Sequence, residues 1–243
     1  MMKSCLISIL VSLVSFTAAW GQASGTQVTE TDSTLTLRNS KVRVEFPKGE
    51  AFDISKLTLN GKELVLSKGY NTVPWTLTYK GPQGENPVLF PSHGEYAGWA
   101  KTTKDGHVAI AFKWNMRLTY QDLVPVVMTV SLPGDSELAY WDIQAGTPDG
   151  WLVSNTQFPR ITVTRPDKAK LITSAGWGAE YNLSNPQVYT SSYPSVTGSM
   201  QLLFLHNPDG SVYYATEDRE ACGKDFRAAV GDKSVTLLTD IVA

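Results

Sequence analysis

Histidine and cysteine are the scarce residues of this 243-residue chain, three of the first and two of the second. There is no His-Glu-x-x-His pattern, no Cys-x-x-Cys pair and no histidine cluster, so no ligand set for a metal is visible and no cofactor is expected. Excess charge is also missing. The 21 basic and 23 acidic side chains leave a net charge of −2, without the basic footprint that binding to nucleic acid needs. Charged residues at 18% against hydrophobic ones at 42% exclude a disordered chain. No nucleophile elbow occurs, because Gly198-Ser199 is followed by Met200-Gln201. Gly176-Trp177-Gly178 lacks the third glycine of a dinucleotide fingerprint.

Only the first residues form a long apolar run. Lys3 precedes the stretch from Cys5 to Phe16, and small residues follow at Ala18, Ala19, Gly21 and Ala23. A positive start, a short apolar core and small residues together predict a signal peptide over 1–23, cleaved near Gly21 or Ala23. The run is too short for a membrane span, and Cys5 precedes it instead of following it as in a lipoprotein signal. The alternative, a buried N-terminal strand or helix, has neither caps nor pattern in its favour. The expected destination is the periplasm or the exterior, as a soluble protein with no membrane contact after cleavage. Cleavage removes one of the two cysteines, and Cys222 is then expected to be a spare loop thiol with no internal disulfide.

The remaining residues, 24–243, read as strands. Thr34 to Arg38 and Lys41 to Phe46 alternate polar and apolar residues with period two. Asn60-Gly61 between two such runs predicts a tight hairpin, since both turn residues must tolerate positive φ. Val108, Ile110, Phe112 and Trp114 share one face of another strand. Pro133-Gly134-Asp135-Ser136 and Asn207-Pro208-Asp209-Gly210 mark further turns. Helix signals are nearly absent: only Asp218 to Val230 could hold a turn or two. The pattern predicts one all-β domain, a large antiparallel two-sheet sandwich.

Several segments resemble a known domain. Tyr193-Pro194-Ser195, the run Met200 to Leu205, the run Gly210 to Asp218 and Lys224-Asp225-Phe226 look like the late hairpin of a galactose-mutarotase-like supersandwich. Glu137 to Ile143 and Phe158-Pro159-Arg160-Ile161 follow in the order of that domain, and Phe52-Asp53-Ile54 through Leu64 resembles its first hairpin. The form is similar to the domain that precedes the catalytic barrel in exported bacterial glycoside hydrolases. The resemblance implies a carbohydrate-binding fold, with oligo- or polysaccharide as partner and a catalytic barrel downstream in the same polypeptide. The chain stops at an apolar strand, which under that resemblance suggests a domain cut off before its barrel. Two alternatives stay open: a free-standing aldose epimerase using His93 and a carboxylate, and a lectin-like or structural surface module.

Sugar rings offer apolar C–H faces that stack on Trp and Tyr, while their hydroxyls take hydrogen bonds. Trp114 and Trp141 lie within strands and are assigned to the core. Trp99, Trp151 and Trp177 fall in glycine-containing segments. Trp177, between two glycines and just before Glu180-Tyr181, is the leading sugar platform, although a loop Trp folded over the sandwich edge fits equally. His93 and Glu95, with Trp99 close by, form a second candidate contact. The candidate substrate-binding residues are thus Trp177, Trp99, Tyr181, His93 and Glu95. The carboxylates Glu95, Asp142, Glu180, Glu217, Asp218 and Asp225 are scattered, so no catalytic residue is assigned. Glu217 is the late acid closest to the mutarotase pattern.

Overall fold

The computed structural model describes residues 8–14, 25–48, 54–63, 73–120, 122–165, 167–176, 178–195, 198–206, 211–218 and 222–242. In chain order the first strands are β1 (Ser8–Val14), β2 (Gln27–Glu30), β3 (Thr34–Arg38), β4 (Val42–Pro47), β5 (Lys56–Leu59) and β6 (Lys62–Glu63). Next come β7 (Thr76–Lys80), β8 (Val88–Leu89), β9 (Gly94–Lys104), β10 (His107–Arg117), β11 (Leu123–Leu132), β12 (Leu138–Ala145) and β13 (Leu152–Gln157). The series closes with β14 (Ile161–Thr164), β15 (Lys170–Ala175), β16 (Ala179–Asn182), β17 (Gln187–Tyr193) and β18 (Gly198–His206). After these follow β19 (Ser211–Thr216), β20 (Lys224–Val230) and β21 (Ser234–Val242). A single 3-10 turn, Pro91–His93, is the helical element among the described residues. The fold is an all-β antiparallel sandwich, as the period-two alternation predicts.

Three antiparallel sheets make the layers. The largest has nine strands in the order β16-β15-β18-β19-β1-β12-β11-β10-β9. A seven-stranded sheet (β17-β20-β21-β13-β7-β8, with β14 on β21) and a five-stranded one (β2 to β6 in sequence) supply the other inner faces. Phe46 of β4 meets Phe112 of β10 at 4.8 Å and Trp141 of β12 at 6.1 Å. Trp75, just before β7, sits edge-on to Trp114 at 5.5 Å, and Tyr214 of β19 meets Phe226 of β20 at 6.5 Å. Both smaller sheets thus bury the same face of the large one.

Alternation explains which side chains are inside. On β10, Ile110, Phe112, Trp114 and Met116 are fully buried while Lys113, Asn115 and Arg117 are exposed. Each buried Leu, Val, Met or Phe side chain of such a face contributes about 1.5–3 kcal/mol. The hairpin of β5 and β6 turns at Asn60 (φ 46°) and Gly61 (φ 81°), both left-handed as the Asn-Gly signal requires. Asn39 ties the five-stranded sheet to the large one. Its carboxamide donates to the carbonyls of Pro133 (2.6 Å) and Ser136 (2.8 Å) and accepts from the amides of Lys41 and Val42.

Three expectations change or gain detail. The helical turn expected within Asp218 to Val230 is strand β20 over Lys224–Val230, paired on both sides by β17 and β21. The reason is alternation: Phe226, Ala228 and Val230 enter the core, and two neighbouring ladders satisfy every second amide more fully than one helical turn could. Cys222 is disulfide-bonded and not the spare thiol expected. Of the apolar leader, residues 8–14 form β1, in the middle of the nine-stranded sheet. The expected cleavage region, 18–23, lies outside the described residues, as do Phe52 and Asp53 of the first-hairpin resemblance.

Candidate functional site

Sheet order brings together residues that the sequence keeps about seventy positions apart. On β12, Ala139 and Trp141 are buried against the second layer, and Tyr140 lies half-buried on the outer face. On β19, Val212 and Tyr214 enter the core and Tyr213 lies half-buried on the same outer face. Leu10 stands opposite both Tyr140 and Ala215, and Ser12 stands opposite Tyr213. The two tyrosines are therefore two strand steps and two residues apart, roughly 12 Å.

Other rings extend the band. Phe204 of β18 pairs directly with Tyr213, and the His206 ring stacks 6.0 Å from Phe204. At the other end the His107 ring stacks 6.2 Å from Tyr140. His107, Tyr140, Tyr213, Phe204 and His206 thus cross the outer face from β10 to β18. At about 4.8 Å per strand the band is roughly 24 Å long. Between the tall side chains the face carries small ones, Ala109, Ser131 and Ala215, all of them buried.

Glu217 supplies charge to this face. It follows β19 and is exposed, yet both flanking residues are buried and bonded. Thr216 donates its hydroxyl to Gln201 Oε1 at 2.5 Å, and Asp218 pairs with Lys224. Lys224 also donates to Gln201 Oε1 at 2.9 Å and lies 5.5 Å over the Tyr193 ring. Gln201 Nε2 donates to the Asp218 carbonyl, and the Cys222 amide donates to the Asp218 carboxylate at 2.6 Å. Burial pulls the Lys224 ammonium below the ordinary lysine range, against the opposing pull of Asp218. This closed network fixes the chain on either side of Glu217.

The Glu217 carboxylate acts on both phenols. Burial raises the Tyr140 and Tyr213 pKa values above the ordinary tyrosine value, and the negative charge of Glu217 adds to the rise. Both hydroxyls are therefore neutral near pH 7 and able to donate and accept hydrogen bonds. Ring faces for sugar C–H surfaces, two phenols and an exposed carboxylate for hydroxyls make an arrangement suited to an extended oligosaccharide. Hydrolysis needs two carboxyls flanking one bond, about 5–5.5 or 6.5–9.5 Å apart. Asp142 stands on the same face, but it is buried and paired with Lys104 at 3.7 Å. Among the described residues no group of three or more His, Cys, Asp or Glu could hold a metal ion.

Of the substrate-binding residues singled out from sequence, His93, Glu95, Trp99 and Tyr181 lie away from this band. Trp177 falls outside the described residues. Trp99 is on β9, opposite Phe112 and half-buried against the core, while Glu95 on the same strand is exposed opposite Asn115. His93 closes the 3-10 turn, with Nδ1 3.3 Å from the Val88 carbonyl and its ring beside Phe90. Tyr181 is on β16, packed on Tyr189 at 4.7 Å. β9 and β16 are the two opposite edges of the nine-stranded sheet. His93, Glu95 and Trp99 are therefore grouped at one rim, and Tyr181 stands at the other. Trp114 and Trp141 are core residues, as their strand positions predict. The tyrosines of the band were missed because an outward Tyr on an alternating strand looks like any other outward residue.

No family model matches the chain. A "Putative glycoside hydrolase" of Bacteroides thetaiotaomicron is 35% identical over 238 residues, which is 97% of this chain and 35% of that protein. The chain spans about a third of the length of the curated relative it matches.

Proposed function

We propose that this chain is the N-terminal, galactose-mutarotase-like supersandwich of an exported glycoside hydrolase. In this reading it binds oligo- or polysaccharide and helps shape the cleft of a catalytic barrel in the same polypeptide. The observation that carries the reading is the match of nearly the whole chain to a third of a protein named as a glycoside hydrolase. The all-β sandwich agrees with it, and the aromatic band beside Glu217 supports a binding face in this reading. Tyr140 and Tyr213 stack on sugar faces, and Glu217 accepts hydrogen bonds from hydroxyls between them. His93 and Glu95 at the β9 rim and Tyr181 at the β16 rim are the outer contacts, Trp177 is a further one, and Trp99 supports the first rim from the core side. Bond cleavage belongs to the barrel.

Affinity electrophoresis through gels containing α-glucans, β-glucans, mannans or xylans tests the reading. Retarded migration in at least one polysaccharide is expected. Unretarded migration in all of them overturns the binding role.

A further inference from the structure

Strand β21, third in the seven-stranded sheet, is buried on both faces. Val235, Leu237 and Ile241 enter the core, and Thr239 meets Tyr214 there. Leu238 and Asp240 face the other way, yet they are only 7% and 4% exposed. On the β20 side of this outer face the charges are matched. Arg227 pairs with Asp240 at 2.9 Å and with Asp225 at 3.3 Å, and Asp240 also accepts from Asn155 and Gln157. On the β14 side stands an arginine with no such match. The Arg160 amide donates to the Pro74 carbonyl at 2.9 Å, and the next residue, Ile161, is fully buried opposite Leu237. That register sets Arg160 across from Leu238, on the face where Arg227 flanks Leu238 from β20. Its side chain is half-buried, its Nε is shut off from solvent without a hydrogen-bond partner, and no carboxylate pairs with it among the described residues. Burial pulls its pKa below the ordinary arginine value with no acid opposing the pull, unlike Lys224 beside Asp218.

A guanidinium withdrawn from water without a counter-charge is destabilising, and an apolar side chain would fill the same place with less penalty. We propose that Arg160 binds the carboxylate of a uronic acid unit, with Arg227 as a second donor across Leu238. The two arginines are two strand spacings apart, about 10 Å between their Cα atoms. The planar fork of each matches a carboxylate, and Arg227 Nε is likewise without a partner. Thr190, exposed and directly opposite Arg227, offers a hydroxyl to the sugar ring. Asp225 and Asp240 limit the charge of the ligand, because they repel a phosphate or a densely sulfated chain more strongly than a single carboxylate. The subsite lies on the other outer layer from the aromatic band. It rests on the carbohydrate reading only for its ligand being a sugar.

Calorimetric titration of the full chain with oligogalacturonate, oligoglucuronate and oligomannuronate, each beside its carboxyl-reduced counterpart, tests the subsite. At least one uronate oligomer is expected to bind, and its reduced counterpart at least about tenfold more weakly. Arg160→Gln should lose the same factor for the uronate and leave the affinity for the reduced form unchanged. That variant removes no ion pair and no side-chain hydrogen bond among the described residues, so its urea midpoint should show it folded. Arg160→Lys keeps the charge without the fork and should fall in between. Absence of binding by all three uronates overturns the subsite, as does an Arg160→Gln variant that binds them like the parent. So does a carrageenan oligomer, sulfated and free of carboxylate, bound as tightly as the uronate, since charge attraction alone would then suffice. Neutral polysaccharide bound without any uronate removes the subsite and leaves the proposed function standing. Uronate bound through Arg160, with every neutral polysaccharide unbound, removes the role of the aromatic band instead.

Discussion

Replacing Lys224 with methionine isolates the charge that anchors Glu217. The Lys224 side chain is 0% exposed and that of Asp218 is 2% exposed, so the pair is out of water. Methionine keeps most of the apolar stem and its packing. It removes the cation from Asp218 and one of the two donors to Gln201 Oε1. The Asp218 carboxylate keeps the Cys222 amide but loses its counter-charge. Removing one partner of a buried ion pair typically costs about 3–5 kcal/mol, a large part of the roughly 5–15 kcal/mol that holds a domain together. With a urea dependence of about 2 kcal/mol per molar, the unfolding midpoint of Lys224→Met should fall by about 2 M. Asp218→Asn alone should be destabilised similarly, and the double variant Lys224→Met/Asp218→Asn should recover at least about 1 kcal/mol relative to the sum of the singles. Urea titrations of the four proteins, followed by intrinsic fluorescence, measure the cycle. A Lys224→Met variant within about 1 kcal/mol of the parent would refute the claim that this pair anchors the 217–224 segment.

Other outcomes follow from the same structure. Burial holds the Tyr79 phenol at about 12, and burial with the Glu30 charge does the same for Tyr96. The unfolded chain, with tyrosines near 10, releases protons first, so stability should fall as pH rises from about 10 toward 12. A flat thermal midpoint across that window would contradict the burial. Tyr214 donates to the Pro159 carbonyl at 2.8 Å and accepts from Thr239 at 3.0 Å, fully buried. Tyr214→Phe should cost about 1–3 kcal/mol in denaturant titration, and a neutral result would mean that a water or a shift replaces those bonds. Asn39→Ala strips four hydrogen bonds, two between the sheets and two within the β3–β4 turn. It should lower stability by about 2–4 kcal/mol at roughly 1 kcal/mol per bond, and a loss under 1 kcal/mol would contradict its bridging role.

Much of the sandwich was legible because burial on one face writes a period of two. β3 and β4 lie within a residue of their alternating runs, β10 continues its run three residues past Trp114, and the Asn60-Gly61 turn has the backbone its residues demand. Strands without contrast were hidden. β13 is half-buried at every position. β9 carries Gly94 and a register shift beside Gly98, which breaks its alternation. β20 buries a lysine and an alanine at core positions, residues that do not announce a strand. The aromatic band was not legible at all. Tyr140 and Tyr213 become neighbours only through the order β12-β1-β19, and long-range sheet order is not encoded in local pattern.

The most direct test of the account is calorimetric titration of a polysaccharide fragment retained in affinity electrophoresis against the parent protein and Tyr140→Ala/Tyr213→Ala. Both side chains are half-buried on the outer face and outside the core, so the double variant should lose some stability yet remain folded. Losing two stacking contacts, each worth about 1–2 kcal/mol, should weaken binding by at least about tenfold. Unchanged affinity in a folded double variant would contradict the claim that this face holds the carbohydrate.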